Sequence, residues 1–384
     1  MLANQHPSGA FPASPDFSQY SRYCWLRDGS FVAYSLDRAG SYEAAERFHR
    51  WCLDAVEGIA SSMDDALGRA RLGKPFDPAA MPPARFGLDG QAVQDDWPNF
   101  QIDGYGTWLW ALAEHIERSG AGALPGRFEA VVSRTASYLA VAGSSSCYDV
   151  WEENGGSVHT STLACVYGGL VAASRMLGEQ RFAERAARLR EALLERARRE
   201  GRFAKSSDDA QVDASLLWLA APFGLAATED PAFLRTAAEV SSELDLEGGI
   251  RRYPNDTYFG GGAWPVLTAS LGWHLVKVGD LDGARRRLDW ITGHIDREGR
   301  LGEQFGGERR DPAMYDEWVR RWGPVAADLV WSHAMLVVLA EELRAASPAR
   351  GAREHAEAPS TGSGSKPASP DGTGPPAPRG QQEH

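Results

Sequence analysis

Residues 28–62 read DGSFVAYSLDRAGSYEAAERFHRWCLDAVEGIASS, and the way this stretch divides decides the fold. Apolar side chains recur every three or four positions over 28–39 and again over 41–62, the spacing of one buried helix face. Only Ala39, Gly40 and Ser41 join the two runs. Gly40 can take the left-handed backbone that ends a helix, so the chain turns straight back and the helices pair antiparallel. Gly279 and Asp280 predict a second joint of the same kind.

The same periodicity predicts helices over 101–118, 126–142, 159–177, 179–200, 210–222, 230–244, 264–279, 281–297 and 324–345, and no convincing run of strands. Long loops rich in glycine and aromatic residues precede 101, 159, 264 and 324, so short turns and long loops alternate. That alternation suits two concentric rings of helices, with the long loops gathered at one rim where they form a pocket. Eleven helices are one short of six hairpins, and the first of twelve is expected to be largely absent. The opening MLANQHPSGAFPAS reads equally as the end of a helix running into a loop or as an unstructured arm.

Composition narrows the function. The 384 residues are 43% hydrophobic and 24% charged, as in a soluble globular protein. Forty basic against 52 acidic residues give a formal charge of −12, which repels phosphate backbones and anionic lipid and argues against a nucleic-acid partner. No basic start with an apolar h-region opens the sequence and no apolar run reaches about 18 residues, so neither export nor membrane insertion is expected. Cys24, Cys52, Cys147 and Cys165 form no metal-ligand spacing and read as buried thiols in a reducing, cytoplasmic compartment. From Ser347 onward almost no large apolar side chain remains. Residues 1–346 are therefore expected to form the helical domain and 347–384 a disordered tail.

Each predicted inner helix is preceded by a segment carrying a carboxylate, an arginine or a tryptophan: YSRYCWLRDGSF, WPNFQIDGYGTWLW, YDVWEENGGSVHTST, SSDDAQVDASLL, GGIRRYPNDTYFGGGAW, and GRLGEQF with the aromatic stretch around Trp318 and Trp322. Taken singly, Asp28, Asp103 and Asp213 read as helix caps. Combined with tryptophan they suit neutral sugars, which are held by aromatic faces and planar polar groups. Glycoside hydrolysis needs an acid on the leaving oxygen and a second carboxylate about 6.5 to 9.5 Å away when water attacks directly. The adjacent Glu152 and Glu153 rarely straddle one sugar, and Glu303 in LGEQF is the best partner. Burial beside Trp151 is expected to raise the acid's pKa, and a more polar setting to leave the base ionised.

WLRDGSF, YDVWEENGGSVHT, RRYPNDTYFGGGAW, LGEQ and VWSHA, in this order over residues 3–345, resemble glycoside hydrolase family 15, which holds glucoamylases, glucodextranases, isomaltose glucohydrolases and bacterial trehalases. The resemblance implies an (α/α)6 barrel and an inverting, exo-acting hydrolase of short α-gluco-oligosaccharides that needs no cofactor. It implies Glu152 as general acid, Glu303 as general base, and Glu153 as a contact to the sugar beyond the cleaved bond. By the same matching Arg27 and Asp28 grip hydroxyls of the terminal glucose, Arg252 contacts substrate, Trp25 and Trp151 line the pocket, and Asp103 lies at the rim. The likeness is strongest to compact single-domain members acting on isomaltose. Trehalose hydrolysis, phosphorolysis on the same barrel, and a non-catalytic sugar-binding or scaffold protein are the other readings. His159, His274 and His333 read as satisfied histidines, and the absence of HExxH, an EF-hand loop or a His/Cys cluster predicts no metal.

Overall fold

A computed structural model describes residues 1–93, 95–97, 99–121 and 126–347. The chain runs through α1 (Leu26–Arg38), α2 (Tyr42–Gly58), α3 (Ala60–Arg71), α4 (Asp103–Ser119), α5 (Gly126–Ala142), α6 (Thr160–Leu177) and α7 (Gln180–Glu200). A 3-10 segment (Ala214–Leu219) follows, then α8 (Pro231–Glu243), α9 (Pro265–Lys277), α10 (Leu281–Thr292), α11 (Gly307–Arg310), α12 (Pro312–Trp322) and α13 (Val330–Ala346). Six elements close a ring by successive contact: α1, α4, α6, the 3-10 segment, α9 and α13, which returns to α1. Outside them α2 packs on α1 and α4, α5 on α4 and α6, α7 on α6, α8 on the 3-10 segment, and α10 on α9 and α13. This is the (α/α)6 barrel, with five outer helices among the described residues.

The hairpin joints are as the sequence predicts: Gly40 and Gly279 take φ of +78° and +85°, a backbone that costs a residue with a Cβ but not glycine. The inner helices α1, α4, α6 and α9 are buried along most of their length, polar residues such as Arg27, Asp28, Asp37 and Asp103 included, because both sides of each meet protein. α4 and α6 approach so closely that a Cβ on Gly106 would stand 2.2 Å from the Cys165 carbonyl oxygen, and one on Gly169 2.6 Å from the Gly106 Cα.

Several predicted boundaries are corrected. The run over 41–62 is two helices, because the backbone leaves helical geometry at Ile59, after Gly58, and α3 then leans on α5. The run over 210–222 is only a 3-10 turn, opened by Asp213, whose carboxylate accepts from the Ser215 N–H at 2.9 Å, and followed by Pro222, which cannot continue a helix. The helix expected over 281–297 ends at Thr292, and that over 324–345 begins at Val330. α12 lies before it as a separate helix, capped by Asp311 and started by Pro312. Two small antiparallel pairings also form. β1 (Tyr23–Trp25) pairs with β2 (Arg85–Gly87), and β3 (Asp245–Leu246) with β4 (Gly249–Ile250).

The opening residues are packed rather than free: Ala10 and Phe11 are buried in the main core, and the Val330 N–H donates to the Ala13 carbonyl at 3.0 Å. Met1–Ala346 make one compact unit. The tail predicted from the sequence lies, from position 348 onward, outside the described residues. No described helix is long and apolar enough to cross a membrane.

Candidate active site

The N-terminal ends of the inner elements all face one rim, because antiparallel hairpins return each inner helix in the same sense. There the loops enclose a cavity of about 680 Å³ whose wall includes Trp25, Trp151, Tyr258, Trp264 and Trp331, with Glu152 and Glu303 among them. β1 carries Trp25 to the wall, where it is the residue before α1. Its register partner Arg85 is buried and stacks on Trp97 at 4.6 Å.

The loop before α6 resolves the question of the adjacent acids. Asp149 accepts from the backbone N–H of Trp151 and of Glu153, each at 2.9 Å, and from the Asn154 side chain at 3.3 Å. This clasp holds Glu152 and Asn154 at φ of +65° and +56°, a left-handed backbone that costs non-glycine residues about 1–2 kcal/mol each. The turn sends the two carboxylates different ways. Glu152 accepts from the Trp25 indole N–H at 2.5 Å. Glu153 meets Arg252 at 3.2 Å and the Tyr253 hydroxyl. Burial pushes Glu152 up to about 7, against the pull of Arg27 and Arg85.

Glu303 enters from the loop after α10. Its Oε1 accepts from the Tyr20 hydroxyl at 3.0 Å, and the Tyr258 hydroxyl stands 2.8 Å from that of Tyr20, so Tyr258 donates to Tyr20 and Tyr20 to the carboxylate. Its Oε2 is buried with no hydrogen-bond partner. The expectation of a more polar setting for this residue is overturned. Glu303 is buried among aromatic rings, and desolvation pushes it up to about 8, above Glu152, although the Tyr20 bond and Arg252 pull it down.

Two arginines are fixed behind the acids. Arg27 is 2.9 Å from Asp103 and 3.2 Å from Asp28, with its guanidinium over the Trp331 ring. The Arg27–Asp28 approach is close but not aligned as a hydrogen bond, leaving Arg27 Nε and Asp28 Oδ2 unpaired. Arg252 is clamped by Asp256 and surrounded by Trp151, Tyr253, Tyr258 and Trp264 at 5.0–5.7 Å. The indole N–H groups of Trp264, Trp318 and Trp331 are also buried without partners. A wall of aromatic faces studded with unpaired donors and acceptors matches a ligand that is apolar on its C–H faces and polar at its edges.

Trp25, Arg27, Asp28, Trp151, Glu152, Glu153, Arg252 and Glu303 all line this cavity. Asp103 does not; it sits behind Arg27 and fixes it. Sequence reasoning did not single out Tyr20, Trp97, Tyr258, Trp264 or Trp331. Tyr20 and Tyr258 stand inside the quoted rim segments, but only folding shows that their hydroxyls meet.

The sequence model of Glycosyl hydrolases family 15 matches residues 1–292. The chain is 38% identical over 352 residues to an isomaltose glucohydrolase of Kribbella flavida, covering 90% of this chain and 91% of that protein. A solved wild-type glycosidase superposes with a TM-score of 0.84 at 39% identity, over 89% of this chain and 94% of the other. The glucoamylase of Saccharomycopsis fibuligera, 15% identical, shares the fold with a TM-score of 0.64 over 89% of this chain and 90% of its own. A barrel of this build, a rim cavity carrying two raised glutamates, and these matches have one reading: the chain belongs to Glycosyl hydrolases family 15 and is a glycoside hydrolase.

Proposed function

We propose that the enzyme is an exo-acting, inverting α-glucosidase that releases β-glucose from the non-reducing end of short α-gluco-oligosaccharides, α-1,6 linkages of the isomaltose type first and α-1,4 linkages second. Glu152 is the general acid that protonates the glycosidic oxygen. Glu303 is the general base, its unpaired Oε2 taking a proton from the water that attacks the anomeric carbon from the other face of the sugar. Arg27 and Asp28 bind hydroxyls of the terminal glucose. Trp25 and Trp151 pack against its faces, and Arg252 and Glu153 hold the sugar beyond the cleaved bond. Asp103 positions Arg27.

The observation that carries this reading is the pair itself: two buried glutamates from different loops, both raised far above ordinary carboxylates, on the wall of one cavity. A glutamate near 7 holds a proton to give at neutral pH. The Tyr20 hydroxyl on Oε1 favours the ionised form of Glu303, and its Oε2 has no protein partner to compete for a water's proton. The likeness to an isomaltose glucohydrolase over nine tenths of both chains supports the linkage. The four cysteines are buried and unpaired, which supports a reducing, cytoplasmic setting.

A panel of isomaltose, maltose, panose and trehalose with a free-glucose assay tests the substrate. Isomaltose is expected to give the highest kcat/KM; cleavage of trehalose alone overturns the assignment.

A further inference from the structure

Outside the cavity, the described residues hold one cluster of potential metal ligands that the hydrolase reaction does not use. Asp37 of α1, His49 of α2 and His115 of α4 converge where those three helices pack together, each offering a ligand atom, all within 4.8 Å of one another. They are 2%, 1% and 6% exposed. Asp37 lies about 14 Å along α1 from the Arg27–Asp28 end, so the cluster sits toward the opposite end of the barrel. His115 Nδ1 and Asp37 Oδ1 are 2.8 Å apart, but the other Asp37 oxygen and both ring nitrogens of His49 are buried with no hydrogen-bond partner. Evolving a polar ring into an apolar seam and leaving both of its nitrogens unmatched is costly, so the group calls for an occupant.

We propose that Asp37, His49 and His115 bind a zinc ion that ties α1, α2 and α4 together. Two imidazole nitrogens and a carboxylate oxygen are a zinc donor set, with a fourth place for water, and are too nitrogen-rich for calcium or magnesium. Zinc bonds of about 2.0–2.1 Å set tetrahedral ligand atoms roughly 3.3 Å apart, so binding replaces the 2.8 Å His115–Asp37 hydrogen bond and draws in the 4.8 Å spread. Glu114 and Arg118, which also act on Asp37, pair with each other at 3.1 Å and pull on it in opposite senses. The sequence gives no hint of the site, because its three ligands come from three helices and share no motif. The ion takes no part in bond cleavage; it joins the first hairpin to the next inner helix.

Elemental analysis of the full chain, saturated with zinc and dialysed against chelator-treated buffer, tests this. One zinc per chain is expected, with its removal by dipicolinate lowering Tm by about 5 °C and re-addition restoring it. His49→Gln is expected to lose the stoichiometric zinc and the zinc-dependent part of Tm while keeping hydrolysis at room temperature. Should that variant not fold, cobalt loaded into the wild-type chain gives a second readout, the visible bands of a tetrahedral nitrogen–oxygen site. Less than about a tenth of an equivalent of zinc, with a Tm indifferent to metal, overturns the proposal and assigns the cluster a buried water. Full zinc retention by His49→Gln, or an octahedral cobalt spectrum, overturns it equally.

Discussion

Glu152 holds its carboxylate on a left-handed backbone, beside an indole N–H and away from the residue that follows it. Its proposed role as acid makes a distinct demand on the leaving group. Glu152→Gln is expected to lose about 10²–10⁴-fold in kcat on isomaltose but far less on α-glucosyl fluoride, whose departure needs little protonation, whereas Glu303→Gln is poor on both. Steady-state kinetics on the two substrates check this, and equal losses for Glu152→Gln count against its role.

The raised acids also set the response to pH. With Glu152 near 7 and Glu303 near 8, activity rises as Glu303 gives up its proton and falls as Glu152 loses its own, so kcat/KM is bell-shaped with its maximum near neutral to mildly alkaline pH. The productive form, Glu152 protonated and Glu303 ionised, is the scarcer of the two singly protonated forms, about one in ten for a difference of one pKa unit. Stability follows with a definite sign. Above about 4.5 the unfolded chain releases protons that the folded site retains, so these two groups contribute less stability as pH rises toward 8. Glu303→Gln, which has no proton to lose, is expected to melt higher than wild type at pH 8 and level with it at pH 5, as thermal unfolding at both pH values shows. A variant less stable at both contradicts the assignment of a destabilising buried charge.

At the scale of elements, the hairpins were legible because their joints are chemical: Gly40 and Gly279 announce a left-handed end whatever surrounds them. The break at Ile59, the shrinking of 210–222 to a 3-10 turn and the separate α12 were not, since periodicity records which face is buried but not where tertiary contacts interrupt a helix. The α4–α6 seam makes a prediction at this level. Gly106→Ala would place a methyl 2.2 Å from the Cys165 carbonyl, and the cost of moving two inner helices apart is expected to be about 1–3 kcal/mol. Denaturant unfolding checks it. A Gly106→Ala protein as stable as wild type means that the seam is looser than its backbone contacts indicate.

Across the whole molecule, function resides in the meeting of segments far apart in the chain: Tyr20, Trp25, Glu152, Arg252 and Glu303 share one wall. The residue types and their rim positions could be read from sequence, including that Glu152 and Glu303 come to one cavity. The depth at which Glu303 is buried could not, nor could the Tyr258–Tyr20–Glu303 chain of hydroxyls or the withdrawal of Asp103 behind Arg27, because each depends on how loops from different hairpins close over one another. The central claim is that Glu152 and Glu303 act on opposite faces of the sugar with a water between. Proton NMR of the first glucose released from isomaltose, read before mutarotation, tests it most directly: the account predicts β-glucose, and α-glucose as the first product contradicts it.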